Sequence, residues 1–585
     1  MKNKILPLLA VSIIAITSCS FFNSVASHEK EIVAYNLDEV SNGDNIDNGF
    51  AGTVKARFKD NEPLIPYLSL KEYASLYESR FVSGFENQYT KRSTSAIWSI
   101  VKEKTVYFST EINFLTKEVT ILGSIEIALE SDPTKDYQAL SYGMSSSYDA
   151  RYLSGMGVAT YYFGSQDIKY FTHNNNYYIS LGFLDMTYSY NSGVYFYYNY
   201  ERIVSTTEAD SFDEKEYKVD DRKLTVNKEM EEIVNGRDMP LYLRSYNAYL
   251  FLYFLDNFYG LKDEKGIEDA TSYCRRIGVY NGLFSNNDEK RVQAIADALS
   301  YLDDNHTALV SGLSAWRENE FERWRYGAGC KNRSALKATL IDKRTNAYHS
   351  LTPGEDIIYS SDGKTAMYVF DSFKFGSSSE VFNYDGSIKD TAYQYDTYCN
   401  LTRLFDVLTN KGGVENVVLD ISTNGGGVLG VMMKVLSLIS KTGETSISYL
   451  ETDVKELVTA TTKNDINNDK ETTPEDYFGD DFNIAIMTSD CSFSAANAFA
   501  CYASYENICP IIGQKSGGGE CAVAIHYLPN GEYLYHSSNL HIGYYDKLDE
   551  TFAGFESGAT PVFTIENLDN MYDIEYLNVQ LPSYF

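Results

Sequence analysis

The sequence predicts an α/β fold, and two segments support that prediction most directly. Residues 481–523 read as an apolar strand, a polar turn, a small-residue helix that begins near Ser494, and a second strand that ends at Gly513. This alternation is typical of a βαβ unit, in which a helix joins two parallel strands. Another apolar strand is predicted within residues 416–427, where it runs into a glycine cluster.

The start of the predicted helix has the properties of a nucleophile site. Free backbone N–H groups and the positive end of the helix dipole can stabilise negative charge beside the Ser494 oxygen. Ala495 keeps the approach uncrowded, and Gly425 to Gly427 allow backbone N–H groups close to a bound carbonyl. We therefore predict an oxyanion hole formed by Gly426, Gly427 and Ala495. The alternatives are a serine that only caps the helix and glycines that only form a turn.

Two further segments supply a base and a carboxylate. His306 follows an amphipathic helix pattern, within the motif LDDNHTAL, and the other six histidines lack such a motif. Glu556 stands just before a Gly and Pro561 turn that leads into a strand. Asp549 and Glu550 lie nearby, and no spacing rule separates them from Glu556 as the functional carboxylate.

These four segments resemble the tricorn-core and C-terminal-processing family of serine peptidases, over roughly residues 236–585. In that family an aspartate–histidine–threonine block carries the base, and Asp303, His306 and Thr307 stand at the matching positions. The resemblance implies a crotonase-like (ClpP/crotonase) α/β core and hydrolysis of peptide bonds.

The sequence departs from the bacterial processing branch of that family. That branch uses a lysine base after the nucleophile helix, whereas here glycine stands at the lysine's place and Lys515 lies four residues early. The Ser/His/Glu arrangement of the tricorn-like branch fits better, with Ser494 as nucleophile, His306 as base and Glu556 as the group that orients the imidazole. Asn305 is a second departure, because the tricorn-like branch has a serine there that links the carboxylate to the histidine.

The N-terminus predicts export and a lipid anchor. Residues 1–19 have a basic start, a short apolar run and the ending Ile-Thr-Ser-Cys, which resembles a bacterial lipobox. The apolar run is too short to span a membrane. Cys19 is therefore expected to become the lipidated first residue of the mature chain and to hold the protein at a membrane, on the cell surface or the periplasmic side. The alternative is an ordinary signal peptide that is cleaved elsewhere.

Length, charge and composition indicate how many domains the chain has and which partners it can bind. At 585 residues the chain exceeds what one core usually supports, so several domains are expected. The formal net charge of −31 argues against nucleic acid as a partner and for an exported body. The chain has 50 tyrosines, many of them in runs that favour exposed sheet faces, with a carbohydrate- or peptide-binding face as the alternative.

The chain divides into five predicted parts. In order, they are a lipoprotein signal peptide (1–19), a polar tether (20–50), a β-rich N-terminal region (51–235), a helical part of the catalytic module that carries the histidine motif (236–345), and an α/β serine peptidase core (346–585). Within the β-rich region, a helix is predicted over residues 63–81.

No metal or cofactor is predicted. Seven cysteines remain besides Cys19, an odd number, so at least one should stay free or pair between molecules. No Cys/His spacing resembles a zinc site. The loop over residues 465–476 has the acidic spacing of a calcium loop but lacks its turn glycine, so we favour a solvated loop. Cys491 is an alternative nucleophile, although it precedes the helix start.

The sequence thus predicts an exported, lipid-anchored serine endopeptidase that acts on peptide or protein substrates without a cofactor. The alternative from another class is a catalytically inactive surface lipoprotein of the same fold that binds peptide or glycan. Asn305 and the missing lysine favour the binder slightly. Serine, histidine, glycine turn and carboxylate together favour the enzyme, because a binder has no need of all four.

Overall fold

The structure is a computed structural model that describes residues 25–129, 142–153, 157–164, 166–207, 212, 215–219, 222–234, 236–311, 327–348, 356–467 and 469–585. The predicted signal peptide and Cys19 lie outside these residues. Within them, no helix combines the length and the apolar character that a bilayer crossing needs. The described chain is a mixed α/β protein, as predicted, with five β-sheets.

A seven-stranded sheet, here called the N-terminal sheet, contains the first described strand. Its strands in spatial order are Tyr170–His173, Asn176–Ser180, Glu62–Leu68, Phe50–Lys59, Ser27–Asn36, Ile203–Thr206 and Tyr195–Tyr198. The tether predicted for residues 20–50 is therefore contradicted from residue 27 onward. The sequence pattern did not indicate the strand Ser27–Asn36 because its first half is charged. Its second half is apolar, with Ile32 and Ala34 buried, and Ala34 pairs in parallel with Ile203.

The helix predicted over residues 63–81 is also wrong in its extent. Glu62–Leu68 pairs with Phe50–Lys59 as a strand, and the helix is confined to Leu70–Ser75. Prolines in the Glu62–Leu68 segment lack the N–H donor that a helix interior requires. The helix begins where Ser69 accepts a hydrogen bond from the Glu72 N–H.

Two antiparallel sheets complete the N-terminal region. A five-stranded meander comprises Glu86–Lys91, Ser95–Lys102, Thr105–Asn113, Glu118–Gly123 and Val158–Tyr162, and a hairpin comprises Tyr217–Val219 and Arg222–Leu224. These sheets agree with the β-rich character predicted for residues 51–235.

Burial corrects the expected place of many tyrosines. Instead of covering exposed faces, several are fully enclosed, with relative exposures of 0% for Tyr67, Tyr73 and Tyr188. A buried ring adds apolar area while its hydroxyl can still find a partner, as when Tyr188 shares a hydrogen bond of 2.9 Å with Thr110. Tyr148 is among those that remain exposed.

A second seven-stranded sheet, here called the bridging sheet, joins the N-terminal region to the catalytic module. The strand Tyr533–Asp546 pairs with four others: Ala308–Ser311, Glu444–Glu451, Cys521–Tyr527 and Thr551–Gly554. Glu456–Asn464 pairs with Glu444–Glu451 and, on its other side, with Met144–Tyr152. Because Met144–Tyr152 comes from the predicted β-rich region, the boundary at residue 235 does not separate two independent sets of sheets.

A six-stranded sheet, here called the parallel sheet, forms the centre of the catalytic module. Its order is Ile357–Tyr359, Thr365–Val369, Asn416–Asp420, Asn483–Thr488, Ile511–Gly513 and Phe563–Thr564, and every pair after the first is parallel. This confirms the predicted βαβ unit. Its two faces pack in different apolar clusters, with Val417 and Leu419 in one and Val418 in the other, as the period of two requires.

The helices of the described residues lie around these sheets. They are Leu70–Ser75, Leu181–Ser192, Val226–Val234, Leu241–Asn257, Ala270–Arg276, Tyr280–Leu283, Asp288–Ser300, Ala328–Tyr348, Ser378–Val381, Thr397–Lys411, Leu429–Leu438, Ala495–Tyr505 and Ile574–Gln580. The largest apolar cluster combines residues from 32–309 with residues from 521–534, so the N-terminal region and the catalytic module share a core.

Candidate active site

Ser494 stands at the start of the helix Ala495–Tyr505, at the carboxyl-terminal edge of the parallel sheet. Its backbone has a φ of 57° and a ψ of −126°, a left-handed value that a residue with a side chain rarely adopts. Such a conformation costs about 1–3 kcal/mol and clusters at functional sites. The Ser494 N–H donates to the carbonyl of Gly518 at 2.9 Å, and Ser494 is partly exposed while Ala495 is buried.

The glycine cluster lies directly against this serine. A Cβ added to Gly426 would stand 2.8 Å from the Ser494 Cβ, so only glycine allows the two segments to approach this closely. The Gly426 carbonyl accepts from the Phe373 N–H at 2.9 Å, which fixes the glycine strand to its neighbour. The Gly426 N–H donates to Asn424 Oδ1 at 2.8 Å and is therefore engaged.

Two other N–H groups near Ser494 are not engaged. Gly427 and Ala495 make no hydrogen bond through their N–H groups to any described residue. Gly427 is exposed, has a φ of 138° and packs against Phe373, where a Cβ would lie 2.4 Å from the carbonyl oxygen. Of the three predicted donors, the structure thus leaves these two free to bind an oxyanion.

The structure brings His306 next to the nucleophile through Phe493. The His306 and Phe493 rings meet edge to face at 4.8 Å between centroids, and Phe493 immediately precedes Ser494. Asp304 fixes the histidine loop, because its carboxylate accepts the His306 N–H at 3.0 Å and the Thr307 hydroxyl at 2.6 Å. Burial lowers the pKa of His306 from 6.5, and the Asp304 carboxylate offsets this in part.

The neighbouring Asp303 has a different place from the one implied by the family pattern. Its carboxylate accepts the N–H groups of Gly329 at 2.8 Å and Cys330 at 3.1 Å, at the start of the helix Ala328–Tyr348. The carboxylate beside His306 is thus Asp304, one position later in the chain. A sequence pattern with two adjacent aspartates does not distinguish them.

Glu556 lies beside the loop that holds the Ser494 N–H. Its Oε2 accepts the N–H groups of Gly519 at 2.9 Å and Glu520 at 3.1 Å, and the Glu556 N–H donates to Glu520 Oε2 at 2.7 Å. Burial raises the pKa of Glu556, and the carboxylates of Asp304 and Glu520 add to this. Among the described contacts, no hydrogen bond joins Glu556 to the His306 ring, whose Nδ1 is buried without a partner.

Asn497 and Ser516 tie the Glu556 segment to the nucleophile helix. Asn497 Nδ2 donates to the Phe555 carbonyl at 2.9 Å, and the Ser516 hydroxyl donates to Asn497 Oδ1 at 2.7 Å. The Ala559 N–H donates to the Ser516 oxygen at 2.7 Å. All of these groups are buried, so the segment before Pro561 has a fixed position relative to Ser494.

Sequence reasoning missed Arg333 and Phe493 as parts of the site. The Arg333 guanidinium lies 5.0 Å from the centre of the Phe493 ring and donates to the Gly517 carbonyl at 3.1 Å. It also pairs with Asp490 at 3.2 Å. Arg333 therefore helps to fix the positions of the Phe493 ring, which contacts His306, and of the loop that leads to Gly518.

The alternative site residues are less well placed. Cys491 is buried, its thiol donates to the Arg333 carbonyl at 3.3 Å, and burial raises its pKa, so the thiolate is disfavoured. Lys515, Asp549 and Glu550 are exposed.

Two carboxylates of the acidic loop over residues 465–476 accept hydrogen bonds from the loop's own backbone N–H groups. Asp465 accepts the N–H groups of Asp469 and Lys470, at 3.0 and 2.9 Å. Asp476 accepts the N–H groups of Ile466 and Thr473, both at 2.8 Å. Both carboxylates are buried, at 5% and 0% relative exposure, so the interpretation of a solvated loop is wrong for Asp465 and Asp476.

One family model matches part of the chain. Residues 386–552 match the model of peptidase family S41. This range contains the glycine cluster and Ser494, whereas His306 precedes it and Glu556 follows it. No curated protein matches the chain.

Several solved structures are similar to the chain. A putative peptidase from Parabacteroides merdae has 16% identity and a TM-score of 0.40 over 56% of this chain and 90% of that one. A lipoprotein from Streptococcus agalactiae has 12% identity and a TM-score of 0.34 over 59% of this chain and 98% of that one. Mature CPAF has 10% identity and a TM-score of 0.36 over 58% of this chain and 95% of that one.

Proposed function

Because residues 386–552 match the model of peptidase family S41, we propose that the chain is a serine-type peptidase that cleaves peptide bonds through Ser494, His306 and Glu556. The observation that supports this most is the local geometry of Ser494. A strained serine at a helix start adjoins two unengaged N–H groups, and its neighbour Phe493 contacts the His306 ring. An ordinary capping serine needs none of these features.

In the proposed reaction, the Ser494 Oγ attacks the peptide carbonyl as His306 takes its proton. The developing oxyanion accepts hydrogen bonds from Gly427 and Ala495. Gly426 shapes the hole instead of donating to it, because Asn424 already accepts its N–H. His306 then returns the proton to the leaving amine, and water hydrolyses the acyl-enzyme by the same steps in reverse. These groups need no cofactor for peptide hydrolysis.

Glu556 is proposed to stabilise the His306 imidazolium when substrate is bound. The buried and unpaired Nδ1 of His306 needs an acceptor once the ring is charged. Catalytic hydrogen bonds are often formed only in the substrate complex, and the proposed contact requires the Glu556 carboxylate to move away from Gly519 when substrate binds. Glu556→Gln retains an oxygen acceptor for the Gly519 N–H and removes only the charge. It should therefore lower kcat by about 10²–10⁴-fold without unfolding the protein.

The finer fold class and the location of the protein are part of this proposal. A crotonase-like core is supported by the parallel sheet with Ser494 on the helix between two of its strands. Export and anchoring through a lipidated Cys19 are supported by the lipobox-like sequence of residues 1–19 and by the acidic net charge of −31. The substrates would then be peptides or proteins outside the cytoplasm.

Labelling with a fluorophosphonate tests the proposal. The reagent should modify Ser494, because His306 activates the oxygen and the adduct's oxyanion enters the hole. Ser494→Ala should abolish both labelling and peptide hydrolysis. Ser504→Ala is the matched control, since Ser504 lies exposed at the far end of the same helix. The labelled peptide is identified by mass spectrometry.

Two results would contradict the proposed mechanism. Label on Cys491 would move the nucleophile by three residues in the chain. A folded wild-type protein with neither label nor hydrolysis of a broad peptide library would favour a peptide- or glycan-binding lipoprotein.

A further inference from the structure

Two neighbouring strands of the bridging sheet bring three metal-binding side chains together near the candidate active site. Cys521 begins the strand Cys521–Tyr527 and is the direct partner of His541 on the strand Tyr533–Asp546. Partners on antiparallel strands have side chains on the same face. Glu520 reaches the same place, because its Oε1 lies 2.6 Å from His541 Nδ1.

The three ligand atoms are close enough for a single ion. A carboxylate oxygen of Glu520, the sulfur of Cys521 and a ring nitrogen of His541 all lie within 4.8 Å of one another. Zinc bonds of about 2.0–2.3 Å place the atoms of a tetrahedral site about 3–4 Å apart, so small side-chain shifts would close the site. The relative exposures are 5%, 1% and 6% in chain order, so bulk water does not compete for these groups.

The Cys521 thiol is a second and independent indication of a ligand. It is buried within this cluster, and no described residue forms a hydrogen bond with it. The sulfur lies at 1% relative exposure, between the Glu520 carboxylate and the His541 ring. A cation would give it a partner that these described residues do not.

We infer that Glu520, Cys521 and His541 bind a divalent transition-metal ion of the zinc type. One sulfur, one nitrogen and one oxygen donor match zinc, and they exclude calcium and magnesium, which take oxygen ligands. Three protein ligands leave a fourth position for water. Binding of the ion to the Cys521 sulfur releases the thiol proton to solvent. Binding to His541 Nδ1 requires that nitrogen to lose its proton. In a neutral ring the proton moves to Nε2, and in an imidazolium it leaves to solvent.

Metal binding would also act on the neighbouring Glu556, an effect that depends on the proposed function. Glu520 Oε2 accepts the Glu556 N–H at 2.7 Å, and the Glu520 N–H donates to the Glu556 carboxylate at 3.1 Å. An ion that binds Glu520 Oε1, the oxygen beside His541, would draw this carboxylate away from the Glu556 N–H that its Oε2 accepts. Bound zinc therefore displaces the Glu556 segment and inhibits the peptidase.

Titration with Co²⁺ tests the site without using peptidase activity. The full-length Ser494→Ala protein, freed of metal with a chelator, should bind one equivalent of Co²⁺ with a thiolate-to-cobalt charge-transfer band in the near ultraviolet, and Zn²⁺ should remove that band. Cys521→Ser should abolish the band and weaken binding by at least about tenfold. Cys509→Ser is the control, because Cys509 is also buried and belongs to no such cluster in the described chain.

The outcomes separate the site from the proposed function. A folded protein without the band, or a band that survives Cys521→Ser, would overturn the site. If Cys521→Ser does not fold, Glu520→Gln keeps the hydrogen-bonding shape and should still weaken Co²⁺ binding by at least about tenfold; unchanged affinity would overturn the site. In active protein, Zn²⁺ should inhibit the wild type but not Cys521→Ser. Equal inhibition of both would overturn the coupling to Glu556.

Discussion

Gly426 packs directly against the nucleophile, and Gly426→Ala perturbs this contact. The added Cβ would stand 2.8 Å from the Ser494 Cβ and 2.9 Å from the Phe493 carbonyl oxygen. Optimal carbon contacts are about 3.5–4.0 Å, so the two segments must separate by about 1 Å. The Phe493 carbonyl belongs to the backbone and cannot rotate away, so the displacement reaches Ser494 itself.

The size of the effect follows from this displacement. A misplacement of about 1 Å at a catalytic group can lower the rate about 100-fold, so we expect kcat/KM to fall between about 10- and 100-fold. The φ of 112° at Gly426 adds backbone strain of about 1–3 kcal/mol, which should lower the melting temperature by several degrees. The protein should remain folded, because the parallel sheet and its two apolar faces are untouched.

Gly425→Ala is the matched control for this change. No atom lies within 4 Å of a Cβ added there, and Gly425 is exposed with no left-handed φ. Its stability should change by no more than about 0.5 kcal/mol, with unchanged kcat/KM. The assay combines hydrolysis of a quenched fluorescent peptide, titration of reactive serine with a fluorophosphonate, and thermal unfolding. If folded Gly426→Ala hydrolysed the peptide at the wild-type rate, Gly426 would not adjoin the reacting serine.

Three further predictions follow from the same site and from the N-terminus. Because burial lowers the pKa of His306 and the base must be neutral, kcat/KM should rise with pH through a value below 6.5, and an acidic limb centred above 6.5 would contradict this. Arg333→Ala should lower kcat by about 10- to 100-fold, since the Phe493 ring loses its brace, whereas Arg403→Ala removes a similar stacking contact at 4.2 Å from another ring and should leave kcat unchanged. Cys19→Ala should abolish labelling by a palmitate analogue and release the protein from membranes, and undiminished labelling would exclude Cys19 as the anchor.

Local patterns predicted the nucleophile region well. The small residues after Ser494 and the apolar runs on both sides specify strand, helix and strand over short distances in the chain, and the structure has the helix Ala495–Tyr505 between Asn483–Thr488 and Ile511–Gly513. Hydrophobic periodicity is the dominant signal for elements of this kind. The same reasoning failed for Glu62–Leu68, where pairing with another strand outweighed a helix-like pattern.

Contacts between distant segments could not be read from the sequence. Arg333 meets Phe493 across more than 150 residues, and nothing near either residue indicates the other. Cys521 and His541 are 20 positions apart, without the spacing of a metal motif, and only the register of two strands makes them neighbours. The choice between Asp303 and Asp304 depends on loop geometry in the same way.

The position of the base depends on the bridging sheet, and through it on the N-terminal region. The Asp304 carboxylate that holds the His306 loop also accepts the Ser537 hydroxyl, at 2.8 Å, from the strand Tyr533–Asp546. Just before this strand, Glu532 forms a fully buried ion pair of 2.7 Å with Arg291.

Removing one partner of such a pair costs about 3–5 kcal/mol, so the ion pair fixes where the strand begins relative to the helix before His306. On the adjoining strand, His526 lies 3.1 Å from the Met186 carbonyl, within the core shared with residues 32–309. The tyrosine-rich region therefore acts on the candidate site by packing, because it supports the sheet that positions His306 opposite Ser494.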